Sequence, residues 1–439
     1  MSMSIPAVFS ALKNYSSSQN SFISKFVTIP LAQEYGRSYR ALVKAGDRVQ
    51  EGDRIAVCNT GGHSTYIHAS VPGEVTEICS CILQNGRQEF AIRIKFGGSF
   101  KYLGKIAEEA SADSLSPLSV TESLFDKGVV NTFTSSHPES LGLQIRMIKS
   151  CRCIVVRMFD EDPYCMTDSL VTKFYFERIV SAAKVIARTL NAGMILLAID
   201  QKMQDKPLAR SFESDTVRLL EMNISRYPCG TPGEMIAALA KSGPKKSQDI
   251  TLCAQDLFID ASSMLEVYNA VLLDTPAISR NVHFSGNCLW SSCILNVKVG
   301  TPIKDIVAQL GGFAKPPALV IVNGELCGSS AQNLEQPVTK DIKSVRFVSS
   351  RKFTDEQIYS CVSCGHCRHI CPARISPDLI YSAVLGETVL DETLEKSVMI
   401  CSSCGLCSTV CQARLPLSHT ITVLRENIQS NSAQWSIQD

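Results

Sequence analysis

Eight of the chain's nineteen cysteines fall within 51 consecutive residues, as two copies of one pattern. The first copy is Cys361-Val-Ser-Cys364-Gly-His-Cys367-Arg-His-Ile-Cys371-Pro372, and the second is Cys401-Ser-Ser-Cys404-Gly-Leu-Cys407-Ser-Thr-Val-Cys411-Gln412. Each reads C-x2-C-x2-C-x3-C, the spacing of ferredoxin-type ligands to a four-iron, four-sulfur (4Fe-4S) cluster. Three thiolates at intervals of three on a tight loop can each reach a different iron of one cube. Gly365 and Gly405 let the backbone turn closely around inorganic sulfide. The fourth cysteine of such a motif usually ligates the other cluster. Cys361, Cys364, Cys367 and Cys411 are therefore expected to hold one cluster, and Cys401, Cys404, Cys407 and Cys371 the other. Zinc would ask for pairs of C-x2-C rather than two complete quartets. His366 and His369 lie among the ligands, but with four cysteines already present they read as solvent-facing or supporting side chains. Arg368, Arg374 and Arg414 offer positive charge near anionic clusters, or plain surface charge.

The other eleven cysteines, at positions 58, 79, 81, 151, 153, 165, 229, 253, 288, 293 and 327, show no ligand-like grouping. They read as small, reduced, mostly buried side chains of a cytosolic protein. Cys151 and Cys153 share one face of a strand and form the single weak candidate for a thiol pair. Charge is balanced, with 43 basic and 42 acidic residues, so nothing electrostatic points to nucleic acid. No apolar run approaches the roughly 18–20 residues needed to span a bilayer. Residues 1–20 lack the basic start and apolar core of a secretory signal. A cytoplasmic protein, free or bound to an integral membrane partner, is the expectation.

The 439 residues suggest several domains, and four segments differ in pattern. Residues 1–115 are mostly β, with turns at Gly46-Asp47, Gly52 and Val71-Pro72-Gly73, as in a small sandwich of two similar halves. An Ala, Ser and acidic stretch, Glu108 to Ser114, reads as a linker. Residues 116–260 alternate strand and helix. Cys153 to Phe159 and Met194 to Asp200 read as strands, and Asp168 to Leu190 as a helix with Val171, Phe174, Ile179, Ala182, Val185 and Ile186 on one stripe. That order implies a parallel sheet with crossover helices. Lys241 to Gln248 reads as a loop. Residues 261–350 form a small α+β module: a strand running into Gly300-Thr301-Pro302, a helix over Ile303 to Leu310, and a strand over Leu319 to Val322. Residues 351–439 are helical and punctuated by cysteines. A capping box at Thr354-Asp355-Glu356-Gln357, a helix start at Ser376-Pro377-Asp378 and a cap at Asp391 are predicted. Beyond Ile428 the polar chain is expected to fray.

Over nearly its whole length, and in order, the sequence resembles the RnfC family, peripheral subunits of Rnf ion-translocating electron-transport complexes. The resemblance runs through Gly46-Asp47, His68-Ala69 and Gly73, then Tyr227-Pro228-Cys229-Gly230 with Glu234-Met235-Ile236. It continues through Val299-Gly300-Thr301-Pro302, Gly311-Gly312-Phe313 and Pro337-Val338-Thr339-Lys340, and ends in the double cysteine motif. It implies a multidomain α/β protein: an N-terminal β barrel-sandwich, a central Rossmann-like parallel α/β domain similar to the flavoprotein subunit of respiratory complex I, a β-grasp-like α+β domain, and a C-terminal α-helical ferredoxin domain. It implies electron transfer among NADH, flavin mononucleotide, two 4Fe-4S clusters and further redox subunits, coupled to sodium or proton movement. The implied partners are other Rnf-type subunits, including an iron–sulfur subunit and integral membrane subunits. A soluble donor or acceptor (NADH, ferredoxin or flavodoxin) is also implied, as is a peripheral place on the cytoplasmic face of the inner membrane.

One departure bears on the cofactors. Relatives carry a glycine-rich loop, G-x-G-G-x-G-F-P, at the start of the central domain, and the corresponding stretch here is Gly128-Val-Val-Asn131-Thr-Phe133-Thr134-Ser-Ser136-His-Pro138. Only Gly128 and Pro138 match, leaving them as the remnant of a loop for flavin mononucleotide or NADH. Backbone amides bind phosphate where no side chain blocks the approach, so Asn131, Phe133, Thr134 and Ser136 argue against a bound nucleotide. Electrons would then arrive from another protein, and NADH oxidation by the isolated chain stays open. Two other readings compete: a soluble flavin and iron–sulfur protein similar to the cobalamin reductase of diol-metabolising microcompartments, and a non-catalytic adaptor whose clusters serve folding or sensing.

Overall fold

A computed structural model describes residues 3–4, 15, 17–60, 62–84, 86–105, 107–134, 137–203, 206–241, 252–253, 255–349 and 357–435. The chain divides into two compact units, one of Ile5–Ser225 with Cys229–Ser349, the other of Met1–Ser4, Arg226–Pro228 and Ser350–Asp439.

The larger unit begins with two antiparallel sheets. One orders Phe26–Pro30, Gln88–Phe96, Gly73–Ile82 and Arg48–Val49; the other orders Arg40–Ala41, Arg54–Thr60 and His63–His68. Alternate residues of the two, among them Val27, Ile29, Ile55, Ile67, Ile92 and Ile94, close on a common core. Side chains of a strand point to opposite faces in turn, so this alternation is what allows a two-sheet sandwich. Gly73 is required where its strand begins, because a Cβ there would lie 2.0 Å from the Lys95 carbonyl oxygen.

Next comes an open four-stranded sheet in the order Val217–Met222, Met194–Asp200, Cys153–Arg157, Leu257–Asp260, with every neighbour parallel. Its central strands, Met194–Asp200 and Cys153–Arg157, are nearly continuous apolar runs, as burial on both faces demands. The long helix Thr167–Thr189 crosses over between strands and buries Val171, Ile179, Ala182, Val185 and Ile186. Phe174 is only half-buried, and Phe176 takes the core position instead. The cause is local: Tyr175 has non-helical angles (φ −130°, ψ 28°), which re-phase the helix between the two rings. Residues 107–115 run as an exposed connection broken only by the short turn Ala112–Ser114.

A six-stranded mixed sheet completes this unit, in the order Gln19–Asn20, Cys293–Lys298, Ser279–Ser285, Ser344–Val348, Leu319–Val322, Ser329–Ser330. The helix Ile303–Gln309 packs Ile303, Ile306 and Val307 onto it.

The cysteine-rich unit is helical, with His366–Ile370, Pro377–Val384, Glu392–Ile400, Leu406–Thr409 and Leu417–Trp435. Pro377 opens its helix at the first turn, and the Asp391 carboxylate caps the next by accepting the Leu394 amide at 2.8 Å. The last helix continues to Trp435 rather than fraying after Ile428. Its polar end contains neither glycine nor proline, so no residue there forces a stop. The capping box at 354–356 and the loop at 242–248 lie outside the described residues, and so does Ser136.

Candidate functional site

The two cysteine motifs, forty positions apart, repeat one backbone. Ser363 and Ser403 take left-handed φ values of 52° and 53°, Gly365 and Gly405 of 75° and 76°, Arg374 and Arg414 of 54° and 58°. A serine held in that region costs about 1–3 kcal/mol, and it occurs at the same point of both loops. A short helix follows each glycine, His366–Ile370 and Leu406–Thr409. A longer one follows each arginine, starting at Pro377 and at Leu417.

This backbone mixes the motifs. Cys361, Cys364 and Cys367 line one small cavity together with Cys411, Asp378, Ala413, Leu415 and Leu417. Cys371 in turn acts electrostatically on Cys401, Cys404 and Cys407. Three thiols of each motif are thus grouped with the fourth of the other. Burial pushes the Cys407 thiol up to about 12, with the neighbouring cysteines adding to it, and it raises Cys401 and Cys404 as well. Thiols this close resist ionising together unless a cation sits among them, and coordination to iron supplies that charge. No three His, Cys, Asp or Glu side chains among the described residues come together as a site for a single metal ion. A four-iron cube makes a different demand, since each thiolate meets its own iron. The donor set fits such clusters: eight thiols in two groups, walls of Ala and Leu, and amides turned to sulfur. Ser403 N–H donates to the Cys401 sulfur and Leu415 N–H to the Cys411 sulfur, each at 3.4 Å.

Two residues beside the cysteines were not legible in the motifs. Asp378 lines the first cavity and is gripped by Arg368, Nε to Oδ1 at 2.7 Å and a terminal nitrogen to Oδ2 at 2.6 Å. Arg425, 7% exposed, donates to the Val398 carbonyl at 3.2 and 2.9 Å, to the Ser403 hydroxyl at 3.3 Å, and to the Cys401 carbonyl. Only folding brings it to the second motif, 24 residues upstream at Cys401. His366 and His369 are exposed.

The parallel sheet presents the other candidate region. In an open α/β sheet, ligands bind outside the carboxyl ends of the strands where the strand order reverses. Here the reversal lies between Cys153–Arg157 and Leu257–Asp260, and the chain itself occupies it. The Asn131 amide donates to the Phe258 carbonyl at 2.8 Å and to Gln144 at 2.9 Å. The Thr132 hydroxyl donates to Asp260 at 2.8 Å, and its backbone N–H to Ser263 at 2.9 Å. Arg157 stacks 4.2 Å from the Phe133 ring centroid and donates to the Phe133 carbonyl at 2.7 Å. Asn131, Thr132 and Phe133 are buried. The N-terminus of helix Ala261–Val271, the natural seat for a phosphate, is capped by Asp260 accepting from Ser263 N–H at 2.6 Å. Gly128 and Pro138 serve packing: the Gly128 carbonyl accepts from Lys340 Nζ, and the Pro138 carbonyl from Tyr35 N–H, both at 2.7 Å. These residues do not fit a flavin phosphate.

All nineteen cysteines are free thiols. Of the eleven outside the motifs, Cys151, Cys153, Cys165 and Cys288 are buried, the other seven half-buried, and none exposed. Cys151 donates to the Cys153 carbonyl at 3.2 Å rather than pairing with its thiol. No helix among the described residues is long and apolar enough to cross a membrane.

A barrel-sandwich at the N-terminus, a mixed α/β body with a parallel sheet and a cysteine-rich helical C-terminal region define a modular α/β protein. Residues 11–99 match the RnfC barrel sandwich hybrid domain. The chain is 24% identical over 360 residues to a component of the ion-translocating oxidoreductase complex of Rhodobacter capsulatus, covering 80% of this chain and 68% of that one. It is 22% identical to the equivalent component of the Na(+)-translocating ferredoxin:NAD(+) oxidoreductase complex of Acetobacterium woodii, covering 80% of each. With its equivalent in the proton-translocating ferredoxin:NAD(+) oxidoreductase complex of Clostridium ljungdahlii it shares 24%, covering 82% of this chain and 78% of that one. The chain is thus similar to the RnfC family in its N-terminal domain, and along about 80% of its length to subunits of ion-translocating oxidoreductase complexes. Among solved structures, an NAD+-reducing [NiFe]-hydrogenase in the air-oxidized state aligns at a TM-score of 0.46 and 15% identity. This chain spans 65% of that one, with 75% of its own length aligned.

Proposed function

We propose that this chain is an electron-transfer subunit of an ion-translocating oxidoreductase complex and holds two 4Fe-4S clusters. The observation that carries the reading is the grouping of Cys361, Cys364 and Cys367 with Cys411, and of Cys401, Cys404 and Cys407 with Cys371. Bound clusters would each take up and release one electron. The protein's part is to fix the thiolates, direct amides at sulfur and keep the two centres adjacent. The relatives' names place them in complexes that exchange electrons between ferredoxin and NAD(+). In the same role this chain would dock on other subunits, including membrane-embedded ones, at the cytoplasmic face. Its working division is a barrel-sandwich at 1–115, a Rossmann-like domain at 116–260, a β-grasp-like domain at 261–350 and a ferredoxin-type domain at 351–439.

The filled crevice at Asn131, Thr132 and Phe133 favours a particular form of this role, in which the chain receives electrons from a redox protein and carries no nucleotide. The test is anaerobic purification with iron, sulfide and flavin quantified together. About eight irons and eight sulfides per chain, from two four-iron clusters, without flavin and without reduction by NADH, is the expected result. Colourless protein carrying zinc or cystines overturns the cluster assignment. Stoichiometric flavin overturns the nucleotide-free form alone.

A further inference from the structure

We propose that Arg425 raises the reduction potential of the cluster held by Cys371, Cys401, Cys404 and Cys407, an influence its neighbour lacks. The inference rests on the two-cluster reading above. Its basis is a break in an otherwise regular repeat. The forty-residue offset matches cysteine to cysteine, left-handed serine to left-handed serine and glycine to glycine, but it sets Arg425 against Leu385. Leu385 lies just past its helix and is 56% exposed. Arg425 is carried inward because its helix runs on to Trp435.

The charges around the two groups of thiols therefore differ. Beside the first, Arg368 is matched by Asp378, whose carboxylate lines the same cavity. Beside the second, the buried guanidinium binds the carbonyls of Val398 and Cys401 and the hydroxyl of Ser403. Among the described residues no carboxylate forms an ion pair with it. Reduction adds one electron, and so one negative charge, to a cluster; no bond forms or breaks. A fixed cation in a low-dielectric surround stabilises that added charge. Solvent acts the opposite way round. Cys361 and Cys364 are exposed while Cys401 and Cys404 are half-buried, so exposure alone would make the second cluster the harder to reduce. Arg425 offsets that penalty.

A purely structural role is the competing account, since the same side chain caps the end of helix Glu392–Ile400. Two variants of the full chain separate them. Arg425→Lys keeps the charge with fewer donors; Arg425→Gln keeps an amide donor without the charge. Iron and sulfide are measured first, then both clusters are titrated with dithionite under paramagnetic resonance, with Cys364→Ser used to assign the signals. Arg425→Gln should lower the second cluster's reduction equilibrium constant at least tenfold, equivalent to 59 mV for one electron, and leave the first within about threefold. Arg425→Lys should stay within about threefold at both. Equal shifts at both clusters, no shift in a fully loaded Gln variant, or equal effects of Lys and Gln would overturn the proposal. Should the Gln variant fail to load, Asp378→Asn decides: removing that carboxylate must raise the first cluster's constant about tenfold, and no change there overturns the electrostatic account. Wild-type protein without iron and sulfide removes the cluster reading and this inference together.

Discussion

The ammonium of Lys343 stands 2.8 Å from Asp168 and 2.9 Å from Asp260, and none of the three side chains is more than 6% exposed. Burial alone would push the Asp260 carboxyl up, but Lys343, Arg280 and Arg157 outweigh it and hold it well below the usual carboxylate range. A carboxyl depressed in the folded state stabilises the fold above its unfolded value, about pH 4, and loses that contribution as pH falls through its folded value. Lys343→Met would leave two buried carboxylates without the ammonium they share, which costs about 3–5 kcal/mol. The expected outcome is a large loss of stability in urea at pH 7 that shrinks toward pH 4, where the variant's Asp260, deprived of its ammonium, takes up a proton. A pH-independent loss would mean that packing, not charge, is what Lys343 supplies. Nothing in the sequence around any of these three residues reveals the triad, because its members are 92 and 83 residues apart.

At the scale of one element, packing fixes the glycine that opens the loop from Gly128 to Pro138. Gly128 matches a glycine of the nucleotide loop by position, yet its φ is +64° and a Cβ there would lie 2.3 Å from the Tyr66 carbonyl oxygen. The residue is needed to let two backbones approach. A left-handed alanine costs about 1–2 kcal/mol and the clash adds to it, so Gly128→Ala should lose more than about 2 kcal/mol of stability. The check is chemical denaturation, and a loss under about 1 kcal/mol would show that the Tyr66 strand gives way freely. The side chains that replace the other glycines were legible as obstructions. What they do instead, bonding Phe258, Asp260 and Ser263, was not, since those partners lie more than a hundred residues away.

For the whole molecule, the two units differ in what holds them together. The parallel sheet and its helices share a large apolar core, whereas the cysteine-rich unit has two small ones. Cys367 and Cys407 belong to the first of these, with Cys411 packed against it, and Cys371 and Cys401 pack against the second. If clusters fill the space between those thiols, removing them takes away cross-links and core together, and metal binding becomes folding free energy. Stripping iron with a chelator under oxidation should therefore open residues 357–435 to protease and reduce helical circular dichroism, while the fragment carrying the parallel sheet persists. Intact, protease-resistant helices after iron loss would mean that the small cores suffice.

Local patterns carried much of this protein without a structure. The cysteine spacing marked the loops, alternation and glycine turns marked the sandwich, and the strand over Met194–Asp200 was read residue for residue, because each of these depends on neighbours in sequence. Tertiary structure alone decided that the crevice of the sheet is filled by its own loop, and that Arg425 reaches only one of two matching motifs. Those outcomes depend on side chains meeting across long separations, where spacing along the chain carries no distance information.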